Sequence, residues 1–465
     1  MKSFDLIVIG AGSGLDVAVE AANRGLKTAL IEEGPLGGTC LNRGCIPSKM
    51  VIHAADVAEE IRQASQFGLK AALTNVDFAR VTGRASKTVD KDAKSIEAAL
   101  RQARNPVLYK GKARFIGSKL LQVNGEQIFG RKIVIAAGAR PAIPPIPGLD
   151  RVPYLTSMEA LRLTTLPKSM IIIGGGYIGA ELGHFYAALG CKVTVIQRGS
   201  VLLTREDKDV SAVFTAIWKK KYGLVCDGTV QKVERKRGKV IVHTLSGSTP
   251  RKFVAEKLLM ATGVKPNTDM LELAKTGVQV NKNGFIIVNK YMETSAKDIW
   301  ALGDVAGIYL FKHSANLEAE YVLNNLLSNS STTTMRKDSA RKAVNYYPLP
   351  HAIFTNPQIA GVGLTEQEAI EQKKIYVVGK YDYKNTGMGA ALGEKEGFVK
   401  FIVDKKTTEI LGCHILGPEA STLIHEVVVA MKADRKRALE IIRSAVHVHP
   451  ALSEVVQRAA LSVPL

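Results

Sequence analysis

Cysteine is scarce in this chain, with five residues among 465. A count this low in a chain this long excludes a small secreted scaffold held together by disulfide bonds. Long apolar runs are also missing, since none approaches the roughly 18 residues that a membrane-spanning helix needs. The first residues lead into an apolar run at 6–9 and then a glycine loop, unlike a signal peptide with its cleavage site. We therefore expect a cytoplasmic protein.

Acidic residues are under-represented as well. Lys and Arg number 63 against 43 Asp and Glu, so the formal net charge is +20. Such an excess is typical of proteins that bind nucleic acid, a membrane surface or acidic ligands. The densest basic runs, however, lie in three separate segments at 219–221, 235–237 and 435–437. We expect solvated surfaces there, and we expect neither a nucleic acid nor a membrane as a partner.

Apolar residues are plentiful by contrast, at 46% of the chain, and its length predicts several domains. One pattern occurs twice. The apolar runs at 6–9 and 170–173 are each followed by a glycine loop, a helical stretch and a second apolar run. These second runs end at Glu32 and Gln197, which lie 22 and 23 residues after the first glycine of each loop. Each copy predicts the strand–loop–helix–strand unit of a dinucleotide-binding domain.

The glycine loops match what dinucleotide binding requires. One glycine makes the turn, a second lets the backbone approach a pyrophosphate, and a third lets the helix pack on the strand. The second loop has all three, at Gly174, Gly176 and Gly179. The first loop has Gly10 and Gly12 but Leu15 at the third position, so we expect Gly14 to take over part of the packing.

The residues at the two strand ends differ in chemistry. Glu32 can accept hydrogen bonds from an adenosine ribose, which suits FAD or NAD. At the second site Gln197 replaces the acid and Arg198 follows it. An arginine there can bind a 2′-phosphate, and no carboxylate repels that phosphate. The second site is therefore predicted to favour NADP(H) over NAD(H).

Two cysteines, Cys40 and Cys45, lie directly after the first repeat. A metal site would usually need four ligands, and the sequence offers no second close pair. A structural disulfide is not expected in a reducing cytosol. The pair is therefore predicted to cycle between disulfide and dithiol beside a bound dinucleotide. The other cysteines lie among apolar neighbours and are expected to be buried and unreactive: Cys191, Cys226 and Cys413.

Residues 37–49, which include this pair, resemble the active site of the flavin-dependent pyridine nucleotide–disulfide oxidoreductases. This family includes dihydrolipoamide dehydrogenase, glutathione reductase, mycothione reductase and mercuric reductase. The resemblance covers essentially the whole chain, through motifs at 136–141, 261–263, 299–304, 354–360 and 449–454. It implies an α/β protein with two Rossmann-like dinucleotide-binding domains and a C-terminal α+β dimerisation domain. The expected boundaries are 1–148 and 270–345 for the FAD domain, 149–269 for the NAD(P) domain and 346–465 for dimerisation.

Catalytic roles follow from the same resemblance. Cys45 would lie against the flavin as the charge-transfer thiol, and Cys40 would attack the substrate. Lys49 and Glu181 would pair near the flavin ring on its nicotinamide side. His449 would be the acid and base, with Glu454 orienting its ring. Because the histidine of this family comes from the partner chain, the resemblance implies an obligate homodimer.

The cofactor sites also follow from the resemblance. Glu32 would hold the adenosine ribose of FAD, and Asp304 its ribityl and pyrophosphate region. Tyr177 resembles the ring that gates the nicotinamide pocket of glutathione reductase. The other expected FAD residues are Gly10, Gly12, Gly14, Gly38, Thr39, Lys49, Ala113 and Gly138. The other expected nicotinamide-site residues are Gly174, Gly176, Gly179, Gln197, Arg198 and Gly263. No metal site is expected.

The His-Pro element also makes physical sense. Pro450 should bias His449 towards an extended conformation and suit the first turn of a helix. Glu454 on that helix could then reach back to one imidazole nitrogen and fix the tautomer. His447 is expected at the surface or lining the cleft. The polar segment 328–334 predicts an exposed loop before the last domain.

Two substrate interpretations stay open. The motifs around the cysteines resemble dihydrolipoamide dehydrogenase, and we take that interpretation first. Arg198, Tyr177 and the C-terminal half, including residues 310–319, favour an NADPH-dependent reductase of low-molecular-weight disulfides. Arg43, where the dehydrogenases have a small apolar residue, is expected to lower a thiol pKa, contact an acidic substrate or pack outward. A different class, a basic nucleic-acid-associated flavoprotein, would bind its partner without either cysteine.

Overall fold

The apolar runs of the sequence form strands in the computed structural model, which describes residues 1–328 and 340–465. The expected loop at 328–334 lies, from residue 329 onward, outside the described residues. The strands of the described chain are β1 (Lys2–Ile9), β2 (Thr28–Glu32), β3 (Val107–Lys110), β4 (Ala113–Phe115), β5 (Leu120–Val123), β6 (Glu126–Ile135), β7 (Ala139–Pro141), β8 (Ser169–Ile173), β9 (Lys192–Ile196), β10 (Gly223–Val225), β11 (Gly228–Lys236), β12 (Lys239–Ser246), β13 (Thr249–Ala255), β14 (Lys257–Met260), β15 (Val264–Pro266), β16 (Ile299–Ala301), β17 (Pro350–Ile353), β18 (Ile359–Gly363), β19 (Tyr376–Asp382), β20 (Phe398–Asp404) and β21 (Ile410–Leu416).

The helices confirm the predicted alternation with strands. Those of the described chain are α1 (Gly14–Asn23), α2 (Gly38–Arg43), α3 (Cys45–Gln63), α4 (Phe78–Gln102), α5 (Ser157–Ala160), α6 (Tyr177–Ala188), α7 (Lys208–Lys221), α8 (Lys312–Ser328), α9 (Glu366–Glu371), α10 (Gly387–Ala391), α11 (Ala420–Ala433), α12 (Ala438–Ser444) and α13 (Glu454–Leu461). No helix in the described ranges is long and apolar enough to cross a membrane.

The contacts divide the chain into two units. The first comprises Met1–Ser48, Thr82–Ala142 and Gly263–Tyr346, and the second comprises Lys49–Val81, Ile143–Thr262 and Tyr347–Leu465. The domain boundaries expected from the sequence stay predictions.

The first unit is built on a sheet in the order β3-β2-β1-β6-β5-β4, with β16 beside β6. The pairs among β3, β2, β1, β6 and β16 are parallel, whereas β4, β5 and β6 form an antiparallel meander. Side chains alternate along β1: Ile7 and Ile9 pack into one core, and Leu6 and Val8 into another. Both faces are therefore covered, as expected for a parallel sheet.

The second unit contains three sheets. A parallel sheet in the order β10-β9-β8-β14 carries the second glycine loop, and β11, β12 and β13 form an antiparallel sheet after it. The C-terminal part is an antiparallel sheet in the order β17-β18-β21-β20-β19. Helices α11, α12 and α13 pack against this last sheet around one buried core. The predicted fold class, with two Rossmann-like domains and a C-terminal α+β module, is confirmed.

Candidate functional site

The first glycine loop brings backbone against backbone at the carboxyl end of β1. Gly10 has a φ of +101°, and a Cβ on it would lie 2.2 Å from the carbonyl oxygen of Ala136. A Cβ on Gly14 would lie 2.8 Å from the Cβ of Ala136 and 2.9 Å from Cγ1 of Val8. Gly14 thus takes the close packing of helix on strand that Leu15 cannot supply.

The backbone of Gly38 and the carboxylate of Glu32 lie beside this loop. Gly38 has a φ of +66°, and a Cβ on it would lie 2.6 Å from the Cα of Gly12. The Glu32 carboxylate accepts hydrogen bonds from the N–H groups of Ala11 at 2.8 Å and Gly34 at 2.7 Å. These bonds fix its position at the end of β2, where the acid was expected.

Asp304 lies in the 3₁₀ turn Gly303–Val305. Burial raises the pKa of its carboxyl, and no residue in the described chain donates a hydrogen bond to it. A half-buried acceptor of this kind suits a ligand with hydroxyl donors. Of the other expected residues, Ala113 is buried on β4, Gly138 has a φ of +67°, and Thr39 is exposed.

The second glycine loop repeats the geometry of the first. Gly174 has a φ of +111°, and a Cβ on it would lie 2.2 Å from the carbonyl oxygen of Ala261. A Cβ on Gly179 would lie 2.0 Å from the carbonyl oxygen of Gly174. Gly176 precedes α6 with open space around it, and Gly263 has a φ of +99°.

Gln197 takes the place that Glu32 has in the first repeat. Its Oε1 accepts a hydrogen bond from the N–H of Gly175 at 3.0 Å. The neutral amide therefore makes the same loop contact without a negative charge. Arg198 is exposed, and no acidic group in the described chain forms an ion pair with it. The strand end thus presents an exposed cation beside a neutral amide.

The cysteine pair spans the junction of two helices. Cys40 lies in α2 and is half-buried, whereas Cys45 is the first residue of α3 and is exposed. Gly44 between them lets the chain turn closely, since a Cβ there would lie 3.1 Å from the carbonyl oxygen of Thr39. Contact with the side chain of Cys45, together with burial, raises the pKa of the Cys40 thiol. The first residue of a helix also favours a thiolate at Cys45.

Lys312 is the cation whose charge acts on Cys40. Lys312 lowers the pKa of Cys40, against the larger effects that raise it, and its Nζ donates to Ser13 Oγ at 2.9 Å. The guanidinium of Arg43 lies instead against Gly34. Of the three roles expected for Arg43, this contact favours outward packing, because its side chain turns towards the end of β2. Sequence reasoning missed Lys312, which lies far from the cysteines along the chain.

Lys49 and Glu181 form the ion pair that the family resemblance implies. Lys49 Nζ lies 2.8 and 2.7 Å from the two carboxylate oxygens of Glu181 and 4.6 Å from the centre of the Phe354 ring. The backbone N–H of Phe354 donates to Glu181 Oε1 at 2.9 Å. The carboxylate is thus held by one side chain and one backbone group.

Tyr177 is the first residue of α6, and its phenol donates a hydrogen bond to Glu206. The other oxygen of Glu206 accepts from His351 Nε2 at 2.8 Å. Neither Glu206 nor His351 was expected from the sequence. Their contact joins residues 145 positions apart, for which no local motif exists.

His449 and Glu454 are in contact as predicted. The imidazole Nδ1 lies 3.0 Å from Glu454 Oε1, and the N–H of Ala451 donates to Oε2 at 3.1 Å. The hydrogen bond from His449, followed by that from Ala451, lowers the pKa of Glu454. The His449 side chain is 77% exposed. Pro450 does not lie in the first turn of α13, because the helix begins four residues later, at Glu454 itself.

Other expectations about single residues had mixed outcomes. His447 was expected at the surface or lining the cleft, but its side chain is 7% exposed and hydrogen-bonded to Glu426 Oε1 at 2.6 Å. Cys191 and Cys413 are buried as expected, and burial raises the pKa of Cys191 to about 12. Cys226 is only half-buried, because it lies at the end of the short edge strand β10.

Comparison with known proteins gives the family. The profile described as "Pyridine nucleotide-disulphide oxidoreductase" matches residues 4–323, and the dimerisation domain of the same name matches residues 349–460. The chain belongs to the pyridine nucleotide–disulfide oxidoreductase family. It is an FAD-dependent disulfide oxidoreductase, and its C-terminal module is a dimerisation domain, as in a homodimer.

Relatives of this oxidoreductase span its full length. Mycothione reductase of Mycobacterium tuberculosis is 38% identical over all of both chains. A dihydrolipoyl dehydrogenase of Thermus scotoductus is 34% identical over 99% of this chain and 97% of that protein. The Cu(II) complex of the HOCl-induced flavoprotein disulfide reductase RclA from Escherichia coli has a TM-score of 0.85 at 30% identity. It covers 99% of this chain and 100% of that one.

The first unit of this oxidoreductase fits FAD. A Cβ on Gly38 would collide with the backbone of Gly12, so the chain needs glycine at this close approach, beside the loop that would bind a pyrophosphate. The unsatisfied carboxylate of Asp304 suits the hydroxyl groups of a ribityl chain. The enzyme pairs FAD with a nicotinamide coenzyme, in keeping with its second glycine loop.

Proposed function

We propose that this oxidoreductase uses NADPH to reduce a low-molecular-weight disulfide through Cys40 and Cys45. The observation that carries the proposal is the end of β9. There Gln197 makes the loop contact of the usual acid without its charge, and Arg198 stands exposed with no acidic partner in the described chain. A 2′-phosphate would meet an arginine and no repelling carboxylate.

The cofactor site would be formed by residues of the first unit. Backbone N–H groups of the Gly10–Gly12 loop and of Gly38 would hold the pyrophosphate, with Glu32 on the ribose and Asp304 on the ribityl chain. When bound, FAD supplies the electron pair that converts the Cys40–Cys45 disulfide to a dithiol.

The thiol chemistry then balances without a further reactant. His449 takes the proton of the Cys40 thiol, and the Cys40 thiolate attacks the substrate disulfide, forming a mixed disulfide and releasing one substrate thiolate, which takes that proton from His449. The Cys45 thiol then gives its proton to His449, and its thiolate attacks the sulfur of Cys40 and releases the second substrate thiolate, which takes this second proton. The enzyme dithiol is thereby oxidised to a disulfide as the substrate disulfide is reduced to two thiols.

His449 would be oriented for this step by Glu454. The carboxylate holds Nδ1 of the ring, so Nε2 is left to exchange the proton with a thiol. We propose that, in the homodimer, His449 of each chain serves the cysteine pair of the other.

A second candidate is the oxidation of dihydrolipoamide with NAD, the same thiol steps in reverse. The sequence Cys40-Leu41-Asn42 and the segment 46–49 favour it, as does the 34% identity to a dihydrolipoyl dehydrogenase. Either activity would take place in the cytoplasm, which we also propose.

A steady-state screen with purified, FAD-loaded dimer tests the proposal. The oxidants are mycothione, glutathione disulfide, cystine, coenzyme A disulfide and lipoamide, each with NADPH and NADH. Cu(II) is added as a separate arm, because one structural relative is a Cu(II) complex. We expect one small disulfide with NADPH to give the highest kcat/KM. The Cys40→Ser and Cys45→Ser variants should lose this activity, and the matched Cys226→Ser variant should keep it. Preferred turnover of lipoamide with NADH would favour the second candidate instead.

A further inference from the structure

The carboxylate of Glu206 is almost fully buried, and the mechanism above does not use it. Its side chain is 1% exposed, and both its oxygens are occupied, one by the phenol of Tyr177 and the other by Nε2 of His351. Burial alone would raise the pKa of Glu206, but the hydrogen bonds from His351 and Tyr177 hold it below its ordinary value. Glu206 is therefore an anion that accepts from two rings.

The two rings have little freedom. They stack with an interplanar angle of 9° and centroids 6.3 Å apart. The imidazole of His351 lies against the backbone of Gly361, where a Cβ would come within 2.6 Å of its Cε1. On the other side of this glycine lies Nδ1 of His414, 2.9 Å from the same Cβ position. Packing against Gly361 thus limits the movement of the His351 ring, and the hydrogen bond from His351 limits the movement of the Glu206 carboxylate.

The segment of chain that begins at His351 also binds Glu181. Tyr177 and Glu181 are one turn apart on α6 and therefore share a face of the helix. His351 reaches Tyr177 through Glu206, and the N–H of Phe354 donates directly to Glu181. Residues 351–354 thus contact both side chains of α6 that the resemblance assigns to the nicotinamide side of the flavin, Glu181 directly and Tyr177 through Glu206.

We propose that Glu206 and His351 are positioning residues for the nicotinamide step, which act by fixing the phenol of Tyr177. The inference rests on the proposed function in one respect, the place of Tyr177 at the nicotinamide pocket. A ring fixed by a charge-assisted hydrogen bond presents one shape to the nicotinamide. A ring released from that bond samples several positions, and misplacement near the reacting atoms slows transfer.

Rapid mixing of the FAD-loaded dimer with NADPH measures the step directly, through the rate of flavin reduction at saturating coenzyme. The His351→Leu variant removes the donor to Glu206, and we expect about a tenfold slower reduction. The His351→Gln variant keeps a donor and should restore most of the rate. The Tyr177→Phe variant should be slowed to a similar extent, and the double variant with His351→Leu should be no slower than Tyr177→Phe alone.

A second His–carboxylate pair provides the matched control. His243 Nε2 lies 2.8 Å from Glu234 Oε1 between β12 and β11, outside the residues assigned to either cofactor. His243→Leu should leave flavin reduction unchanged. Binding of NADP⁺ is measured by calorimetry as a readout independent of turnover, and its Kd should change by less than about twofold in every variant. FAD content and the thermal midpoint report on folding.

The outcomes separate the two hypotheses. If Tyr177→Phe reduces as fast as wild type, the place of Tyr177 in the proposed function is wrong. If Tyr177→Phe is slow but His351→Leu is as fast as wild type, or faster, the positioning role is wrong. It is also wrong if the double variant shows both losses multiplied, or if His351→Leu slows flavin reduction and thiol oxidation equally. Flavin reduction by the coenzyme needs neither cysteine, so the result stands whatever the substrate.

Discussion

Coenzyme preference can be reversed at the end of β9, if the proposed role of this strand end is right. The perturbation is the pair of changes Gln197→Glu and Arg198→Ala. The first restores the acid that Glu32 represents in the first repeat, where the carboxylate accepts from two backbone N–H groups. Gln197 already accepts from Gly175, so a glutamate can keep that bond and offer its second oxygen to a ribose 2′-hydroxyl. The second change removes the exposed cation.

The expected size follows from the contacts. A charge-assisted bond between an arginine and a phosphate contributes about 1.5–3 kcal/mol. Because about 1.4 kcal/mol corresponds to a factor of ten, Arg198 should favour NADPH by about ten- to a hundredfold in kcat/KM. Because Arg198 is exposed to solvent, the preference for NADPH should lie near the lower end of this range. A carboxylate about 5 Å from a doubly charged phosphate in water adds roughly 1–2 kcal/mol of repulsion.

The assay is kcat/KM for NADPH and NADH with one disulfide at low and high salt. We expect wild type to prefer NADPH at least tenfold at low salt, and less at high salt because the contact is exposed. The double variant should prefer NADH, mainly through weaker NADPH binding. Lys192→Ala, an exposed cation at the other end of β9, is the matched control and should leave the ratio unchanged. Equal use of both coenzymes by wild type, or an unchanged ratio in the double variant, would refute the reasoning. Either result would favour the dihydrolipoamide dehydrogenase interpretation.

Three further predictions concern the thiols, the acid–base pair and a buried cation. On two-electron reduction, the Cys45→Ser variant should lose the long-wavelength absorbance of a thiolate beside the flavin, and the Cys40→Ser variant should keep it. If absorption spectra show the band in Cys45→Ser and not in Cys40→Ser, the roles of the two cysteines are the opposite of those proposed. Glu454→Gln should lower disulfide turnover at least tenfold while coenzyme-driven flavin reduction is unchanged. Because His449 lowers the pKa of Glu454, its carboxylate stays ionised down to a pH below the ordinary carboxyl range. Protonation of Glu454 should therefore add no acidic limb to wild-type kcat/KM within or above that range, and an acidic limb there that Glu454→Gln abolishes would contradict this assignment. Lys400 is 1% exposed and binds three carboxylates. Lys400→Met should lower stability by about 3–5 kcal/mol, seen as a lower urea midpoint; an unchanged midpoint at pH 7 would show that the cluster is not stabilising.

The fold could be predicted from the sequence because its signals are local and occur twice. Each glycine loop follows an apolar run and precedes a helix, so the strand–loop–helix–strand unit is set within about 30 residues. Gly14 could be predicted to provide the close helix–strand packing that Leu15 does not allow, because the helix and the strand must meet closely there. The ion pair of Lys49 and Glu181 came from resemblance, since their separation of 132 positions has no local signature.

What could not be predicted lies in long-range contacts and side-chain direction. The bond between His351 and Glu206 depends on how β17 packs, and a histidine in a strand gives no indication of its partner. The direction of Arg43 is likewise set by α2 and by the space beside Gly34, so its residue type alone could not decide among the three roles expected for it. Lys312 acts on Cys40 because α8 begins near the first glycine loop, where Ser13 binds its ammonium group.

The short ribbon of β7 and β15 has a consequence for the architecture of the chain. The strands are antiparallel neighbours, and the N–H of Ala142 donates to the carbonyl oxygen of Gly263 at 2.9 Å. Residues 143–262 therefore leave and rejoin the first unit at adjacent points, about one strand spacing of 5 Å apart. A block inserted in this way can be gained, exchanged or excised during evolution without altering the strand order of its host. A segment grafted between Ala142 and Gly263 would leave the strand order of the first sheet intact, but it would have to keep Glu181, Glu206 and Asp207 for their contacts with residues 49, 351 and 400.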